Sequence, residues 1–139
     1  MIREFALNAL KNLNMIGSLI SDNFVSKNKI EHRSKLDYVK IFVYEEDNII
    51  KGFIELEVHF EVVEIINIAV DESYQKQGVA SKLLKYVIDN FKCERILLEV
   101  KEDNEKALNF YKKHNFIEIN RREKYYGDKD AIIMERSIV

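Results

Sequence analysis

The 139-residue chain has no proline and only four glycines. That leaves no Pro/Gly/Ser-rich linker, and the length suits one domain spanning residues 1–139. A single cysteine, Cys93, excludes an internal disulfide, and no CxxC pair suggests zinc, so no metal is expected. Cys93 sits at a helix-to-strand junction, YVIDNFKCERILLEV, and reads as a buried or inert thiol rather than a nucleophile. Neither charge sign is in excess: 22 basic side chains face 24 acidic ones, for a net charge of -2. That balance carries no footprint for nucleic acid. No long apolar run exists either. The stretch LNALKNLNMIGSLI is broken by Lys11 and several asparagines, is too short and polar to cross a bilayer, and lacks a signal-peptide cleavage pattern. No membrane partner is expected, and the cytoplasm is the simplest location. What the chain does have is a core: 47% of its residues are hydrophobic and 33% charged, which argues against disorder.

Periodicity sets the order of elements. Residues 2–5 make a short strand. Asn8 is a plausible N-cap for a helix carrying Leu10, Leu13, Gly17 and Ile20. The polar segment 26–37 is either a helix end or a loop. Residues 38–45 are rich in β-formers, and 45–48 form a turn into 49–58, where Ile50, Gly52, Ile54, Leu56 and Val58 alternate on one face. VVEIINIAV (62–70) is nearly all apolar, as a strand covered on both faces requires. Residues 76–91 give the strongest helix, with Val79, Leu83, Leu84, Val87, Ile88 and Phe91 in one stripe. A strand at 95–100 follows, then a helix capped by Asn104, then strands at 116–121 and 130–138 around Tyr126-Gly127-Asp128. The expected fold is mixed α/β (α+β), a sheet of six or seven strands with helices on both faces.

The stretch YQKQGVASKLL (74–84) is unusual. A helix entrance leaves N–H groups without partners and carries partial positive charge, so it can hold an anion. Gly78 removes a Cβ from the approach to the backbone, and Ala80 and Ser81 keep the next positions small. Gln75, Lys76 and Gln77 add donors, and Val79 begins the helix. The entrance follows directly from a central strand, at the carboxyl end where open sheets bind ligands. Spacing alone leaves a second reading open, in which Gly78 and Ala80 only permit tight helix–sheet packing. A dinucleotide fold is disfavoured without G-x-G-x-x-G, and a P-loop without Gly-Lys-Ser/Thr.

NIAVDESYQKQGVASKLL resembles the acyl-CoA motif of the GNAT superfamily of N-acetyltransferases, Q/R-x-x-G-x-G/A, with Gln75, Gly78 and Ala80 in place. LLEVKEDNEKALNFYKKHNF (97–116) is similar to that superfamily's next strand and helix. With NIAVD, LEV, RRxxYY and DAIIM, the chain looks like the RimI subfamily, the ribosomal-protein-alanine N-acetyltransferases. The resemblance covers most of residues 38–139 and implies the GNAT acyl-CoA N-acyltransferase fold with a mostly antiparallel sheet. His114-Asn115 stands where the family has a turn ending in glycine; Asn tolerates the left-handed conformation, so the helix end should survive.

The resemblance implies acetyl-CoA as cosubstrate and an amine as acceptor. It gives Glu99 the role of base and Tyr111 that of acid. On the residues alone, Glu99 in an otherwise apolar strand would be desolvated and its pKa raised, but a solvent-facing carboxylate beside Lys101 is an open alternative. Tyr111 stays protonated at its reference pKa of about 10 and can donate to a departing thiolate; a core tyrosine is its alternative. Asn104 caps its helix and, by resemblance, touches the CoA arm. Ile68, Ala69 and Val70 would offer backbone groups to the cosubstrate through a bulged strand. Glu64 and Asn67 are candidates for holding a proton-carrying water. Tyr125, Tyr126 and the 26–37 segment are candidates for flanking the acceptor. Glu55, Glu57, Glu61 and Glu64 read as surface carboxylates. The acceptor expected first is a protein N-terminus, with a ribosomal-protein alanine in view, because an α-amine (pKa about 7.7–8.0) loses its proton more easily than lysine (about 10.4). Lysine or a small amine on the same fold is the alternative, and a non-catalytic acyl-CoA-binding module is the competing class.

Overall fold

The computed structural model describes residues 1–20 and 29–138. Seven strands form one sheet in the order β1-β2-β3-β4-β5-β7-β6, where β1 is Ile2–Glu4, β2 Val39–Glu46, β3 Ile49–His59, β4 Val62–Val70, β5 Arg95–Lys101, β6 Ile117–Tyr126 and β7 Lys129–Ser137. The chain divides into two compact units: Met1–Val58 with Asn67–Phe91, and His59–Ile66 with Lys92–Val139. Strand β4 contributes residues to both.

In the first unit, β1–β2 and β2–β3 are antiparallel. The hairpin between β2 and β3 turns at Asp47-Asn48, both at positive φ (53° and 65°), a turn that matches strand twist. Successive β2 side chains point to opposite faces. Val39, Ile41 and Val43 pack with Leu13 and Ile16 of helix α1 (Leu10–Gly17), Ile30 of the short helix α2 (Ile30–Arg33), and Phe53. On the other face Phe42 meets Tyr86 of helix α3 (Val79–Asn90) at 5.0 Å between ring centroids, and Phe91 edge-on at 5.8 Å.

Helices on both faces explain one departure from the sequence pattern. β3 is not half-exposed; residues 52–56 are all buried, Glu55 among them. Two boundaries also move. Asn8 lies inside a 3-10 turn (Leu7–Ala9), and α1 is capped by Ala9. α3 starts at Val79 rather than at residue 76, because Lys76 and Gly78 take positive φ. Of the 26–37 segment, residues 26–28 lie outside the described residues, while Ile30–Arg33 is helical.

In the second unit, β4 and β5 run parallel over Val62–Ile65 and Arg95–Leu98. That ladder stops there, although β4 continues to Val70 and β5 to Lys101. β5 pairs antiparallel with β7 along its whole length. β6 is longer than residues 116–121, reaching Tyr126, and is exposed throughout. Ile96, Leu98 and Val100 alternate into the core, with Tyr111, Phe116, Ala131 and Met134. Helix α4 (Glu105–Lys113) ends in a Schellman arrangement: the Phe116 N–H donates to the Tyr111 carbonyl at 3.0 Å, the Asn115 N–H to the Lys112 carbonyl at 3.0 Å, and Asn115 has φ 70°. The asparagine performs the turn. Cys93 is half-buried and its thiol pKa is pushed up by burial, which favours the inert reading.

Candidate active site

The first unit holds the loop from Val70 to α3. Asp71 caps a 3-10 turn (Glu72–Tyr74) by accepting from the Ser73 N–H at 2.9 Å. Gln75 is extended, and its side-chain amide donates to the Val70 carbonyl at 3.3 Å. Lys76 (φ 64°) and Gly78 (φ 82°) then turn the chain into α3. Residues 75–78 are all exposed. Gly78 stands at the N-cap of α3 with no side chain of its own to cap it, and the Lys82 N–H donates to the Gly78 carbonyl at 3.0 Å. The N–H groups of Val79 and Ala80 precede that bond, and the first turn of a helix supplies them no acceptor of its own. Val79 is buried; Ala80 and Ser81 are half-buried.

The packing alternative for Gly78 does not hold. A Cβ built there meets nothing within 4 Å. The tightly packed glycine is Gly52, whose Cβ would lie 2.8 Å from the Ala69 carbonyl oxygen and 3.1 Å from Val79 Cγ1. The motif therefore has open space over Gly78 and close packing beneath Val79. On β4, Ala69 is buried while Ile68 and Val70 are half-buried. Asn67 donates to Glu55 Oε1 at 2.9 Å. Glu55 accepts from Arg33 Nε as well, and Arg33 reaches Glu57 Oε2 at 2.8 Å. Glu55 is thus no surface carboxylate: it is wholly buried and paired.

The second unit holds the remaining residues. Glu99 departs from expectation. Its neighbours Leu98 and Val100 point into the core, so Glu99 points away from it, and its side chain is 30% exposed. Its partner is Arg122, with Nε to Oε1 at 2.9 Å. Lys101 pairs with Asp103 instead. Arg122 also stands over the Tyr125 ring, 5.4 Å from its centroid, and Tyr125 meets Tyr126 edge-on at 5.2 Å. Burial pushes the Tyr126 phenol pKa up, and the Glu99 carboxylate adds to the push. Glu99, Tyr125 and Tyr126 thus come together around Arg122. Nothing in the spacing of the two arginines announced that Arg122 rather than Arg121 would hold Glu99. Arg121 is taken up by Glu118, Glu102 and Asp130.

Tyr111 is 6% exposed, ringed by Phe110 (5.2 Å) and Phe116 (5.5 Å). Burial raises its pKa far above an ordinary phenol, so it keeps its proton throughout the working pH range. No hydrogen bond joins it to Glu99 among the described residues. Asn104 caps α4, its Oδ1 accepting from the Ala107 N–H at 3.2 Å. Glu64 is half-buried on β4 opposite Leu97. Among the described residues, no group of three or more His, Cys, Asp or Glu could hold a metal ion, and no helix is long and apolar enough to cross a membrane.

The chain is similar to an N-alpha-acetyltransferase of Sulfolobus acidocaldarius, 40% identical over 75 residues (50% of this chain and 45% of that protein). It is 36% identical over 90 residues to the [ribosomal protein bS18]-alanine N-acetyltransferase of Escherichia coli strain K12, covering 60% of this chain and 61% of that one. The matched stretches thus span about half to three-fifths of these curated relatives. The crystal structure of the ribosomal-protein-S18-alanine N-acetyltransferase from Escherichia coli superposes with a TM-score of 0.89 at 26% identity, covering 99% of this chain and 93% of that one. The family model for the acetyltransferase (GNAT) family matches residues 12–116. With the glycine-entered helix, the central strand before it and the strand–helix pair after it all in place, the chain belongs to the acetyltransferase (GNAT) family.

Proposed function

We propose that residues 1–139 form one catalytic domain that transfers an acetyl group from acetyl-CoA to the α-amine of a protein N-terminus. The observation that carries this reading is the glycine-entered α3, with open space above Gly78, in a chain whose relatives include N-alpha-acetyltransferases. Donors at a helix N-terminus suit the pyrophosphate of a CoA ester. Gln75 braces the loop, Lys76 and Gln77 flank it, Gly78, Val79 and Ala80 offer backbone N–H groups, and Ser81 keeps the first turn small. The backbone of Ile68, Ala69 and Val70 and the cap residue Asn104 complete the cosubstrate contacts in this reading.

The acceptor amine attacks only when neutral, so its proton must leave, and the departing thiolate must gain one. Glu99 takes the first role. Its Oε1 is held by Arg122, which orients the carboxylate and leaves Oε2 without a partner among the described residues. Tyr111 takes the second role, because a phenol kept protonated by burial is a ready donor. Tyr125 and Tyr126 flank the acceptor beside Glu99. Glu64, half-buried on β4, and Asn67, whose amide donates to Glu55, are the residues for holding a proton-carrying water in this reading. The likeness to ribosomal-protein alanine acetyltransferases supports a ribosomal protein as acceptor, and such an acceptor would place the reaction in the cytoplasm.

Glu99→Gln and Tyr111→Phe test the assignment. Each should lower turnover in a thiol-release assay by about a hundredfold or more and leave the Kd for acetyl-CoA within about twofold, as measured by titration calorimetry. Turnover equal to wild type in either variant would remove that residue from the chemistry.

A further inference from the structure

Arg122 uses only part of its donor capacity. A guanidinium carries five N–H donors in a planar fork, and here Nε forms an ion pair with Glu99 Oε1 at 2.9 Å. The two terminal nitrogens have no carboxylate partner among the described residues. The side chain is 55% exposed, and its plane is steadied over the Tyr125 ring, itself 55% exposed. The neighbouring Arg121 spends its fork on Glu118, Glu102 and Asp130. One arginine is saturated and structural; the other is half-used, pre-oriented, and ion-paired with the residue given the role of base.

We propose that Arg122 is a specificity-determining residue that reads an acidic side chain close to the acceptor amine, so that the preferred acceptors carry Asp or Glu within the first residues of their chain. This rests on the reading of Glu99 as the base. The free edge of the guanidinium matches a carboxylate with two parallel N–H···O bonds. Because Nε stays on Glu99, the same group ties the acceptor's carboxylate to the base. One guanidinium is small and an extended chain advances about 3.5 Å per residue, so the acidic side chain falls on the second or third residue. The carboxylate is a side chain because a protein's own C-terminus does not lie beside its N-terminal amine. The exposed faces of Tyr125 and Tyr126 suit the intervening residue.

The test measures binding and turnover separately. Labelled peptides beginning Ala-Glu, Ala-Gln and Ala-Lys are titrated by fluorescence anisotropy against the full chain saturated with CoA. Wild type should bind Ala-Glu about tenfold more tightly than Ala-Gln, and Ala-Lys more weakly still. Arg122→Gln should bring the Glu/Gln ratio to about one, Arg122→Lys should keep part of it, and Lys124→Gln should leave it unchanged as a control for general charge. Equal binding of the peptides to wild type, binding of none of them, a ratio that survives Arg122→Gln, or one that Lys124→Gln also abolishes, overturns the proposal. Thiol release with the same peptides reports on the chemistry. A tenfold binding ratio without turnover upholds Arg122 and removes acetyl transfer; turnover without a binding ratio does the reverse.

Discussion

Two glycines near the α3 entrance should respond to substitution in opposite ways. Gly78 has φ 82° and open space where a Cβ would go. Gly78→Ala therefore costs only the left-handed conformation, roughly 1 kcal/mol. Gly52→Ala drives a Cβ to 2.8 Å from the Ala69 carbonyl oxygen and 3.1 Å from Val79 Cγ1, so backbone must shift, at about 1–3 kcal/mol. With an unfolding entropy of about 2.1 cal/mol/K per residue, a chain of 139 residues changes Tm by about 3 °C per kcal/mol. The expected losses are about 3 °C for Gly78→Ala and about 3–10 °C for Gly52→Ala. CoA at a hundred times its Kd should raise the wild-type Tm by about 9 °C, from about 2.7 kcal/mol of linkage. Gly78→Val, which adds a branched side chain at the phosphate approach, should lose most of that rise. Gly52→Ala should keep a larger share of it. The assay is differential scanning fluorimetry with and without CoA. A full CoA-induced rise in Gly78→Val, or a larger unliganded loss for Gly78→Ala than for Gly52→Ala, would refute the division of labour.

Other outcomes follow from the same geometry. Arg33→Ala strands the wholly buried Glu55 carboxylate and should cost about 3–5 kcal/mol in urea unfolding, whereas Glu57→Gln, at a side chain 22% exposed, should cost about 1 kcal/mol or less. Asn104→Ala should lower stability by about 1 kcal/mol through the lost cap, read in the same experiment. The His114 imidazole pKa is depressed by burial and by the nearby Lys113 and Arg136 charges. The unfolded chain then takes that proton at higher pH than the folded one, so this contribution to stability is present above about pH 6.5 and is lost as pH falls through it. His114→Gln should flatten the Tm–pH profile in that window; an unchanged slope would contradict the assignment.

The parts legible in the sequence are those that local chemistry dictates. Gly78 marks an open helix entrance, Asn104 a cap and Asn115 a left-handed helix end, because each needs only its own neighbours to act. Strand and helix order followed from periodicity for the same reason. What stayed hidden depends on residues far apart in the chain. Arg33 and Glu55 lie on different elements, and an alternating acidic strand looks the same whether its carboxylates meet solvent or a guanidinium. Glu99 sits in an apolar run, yet the pleat turns it outward, and its partner lies on β6, next but one in the sheet. α3 starts later than its apolar pattern because Lys76 adopts a positive φ that its side chain does not advertise.

The most direct test of acetyl transfer to an N-terminal amine uses one peptide in two forms. Thiol release from acetyl-CoA is measured with a short peptide beginning with alanine, and with the same peptide carrying a blocked N-terminus and an internal lysine. Turnover with the free N-terminus alone, with mass spectrometry locating the acetyl group on the alanine nitrogen, is the predicted result. Turnover of the blocked peptide at equal rate, or of neither peptide while CoA binds, would contradict it.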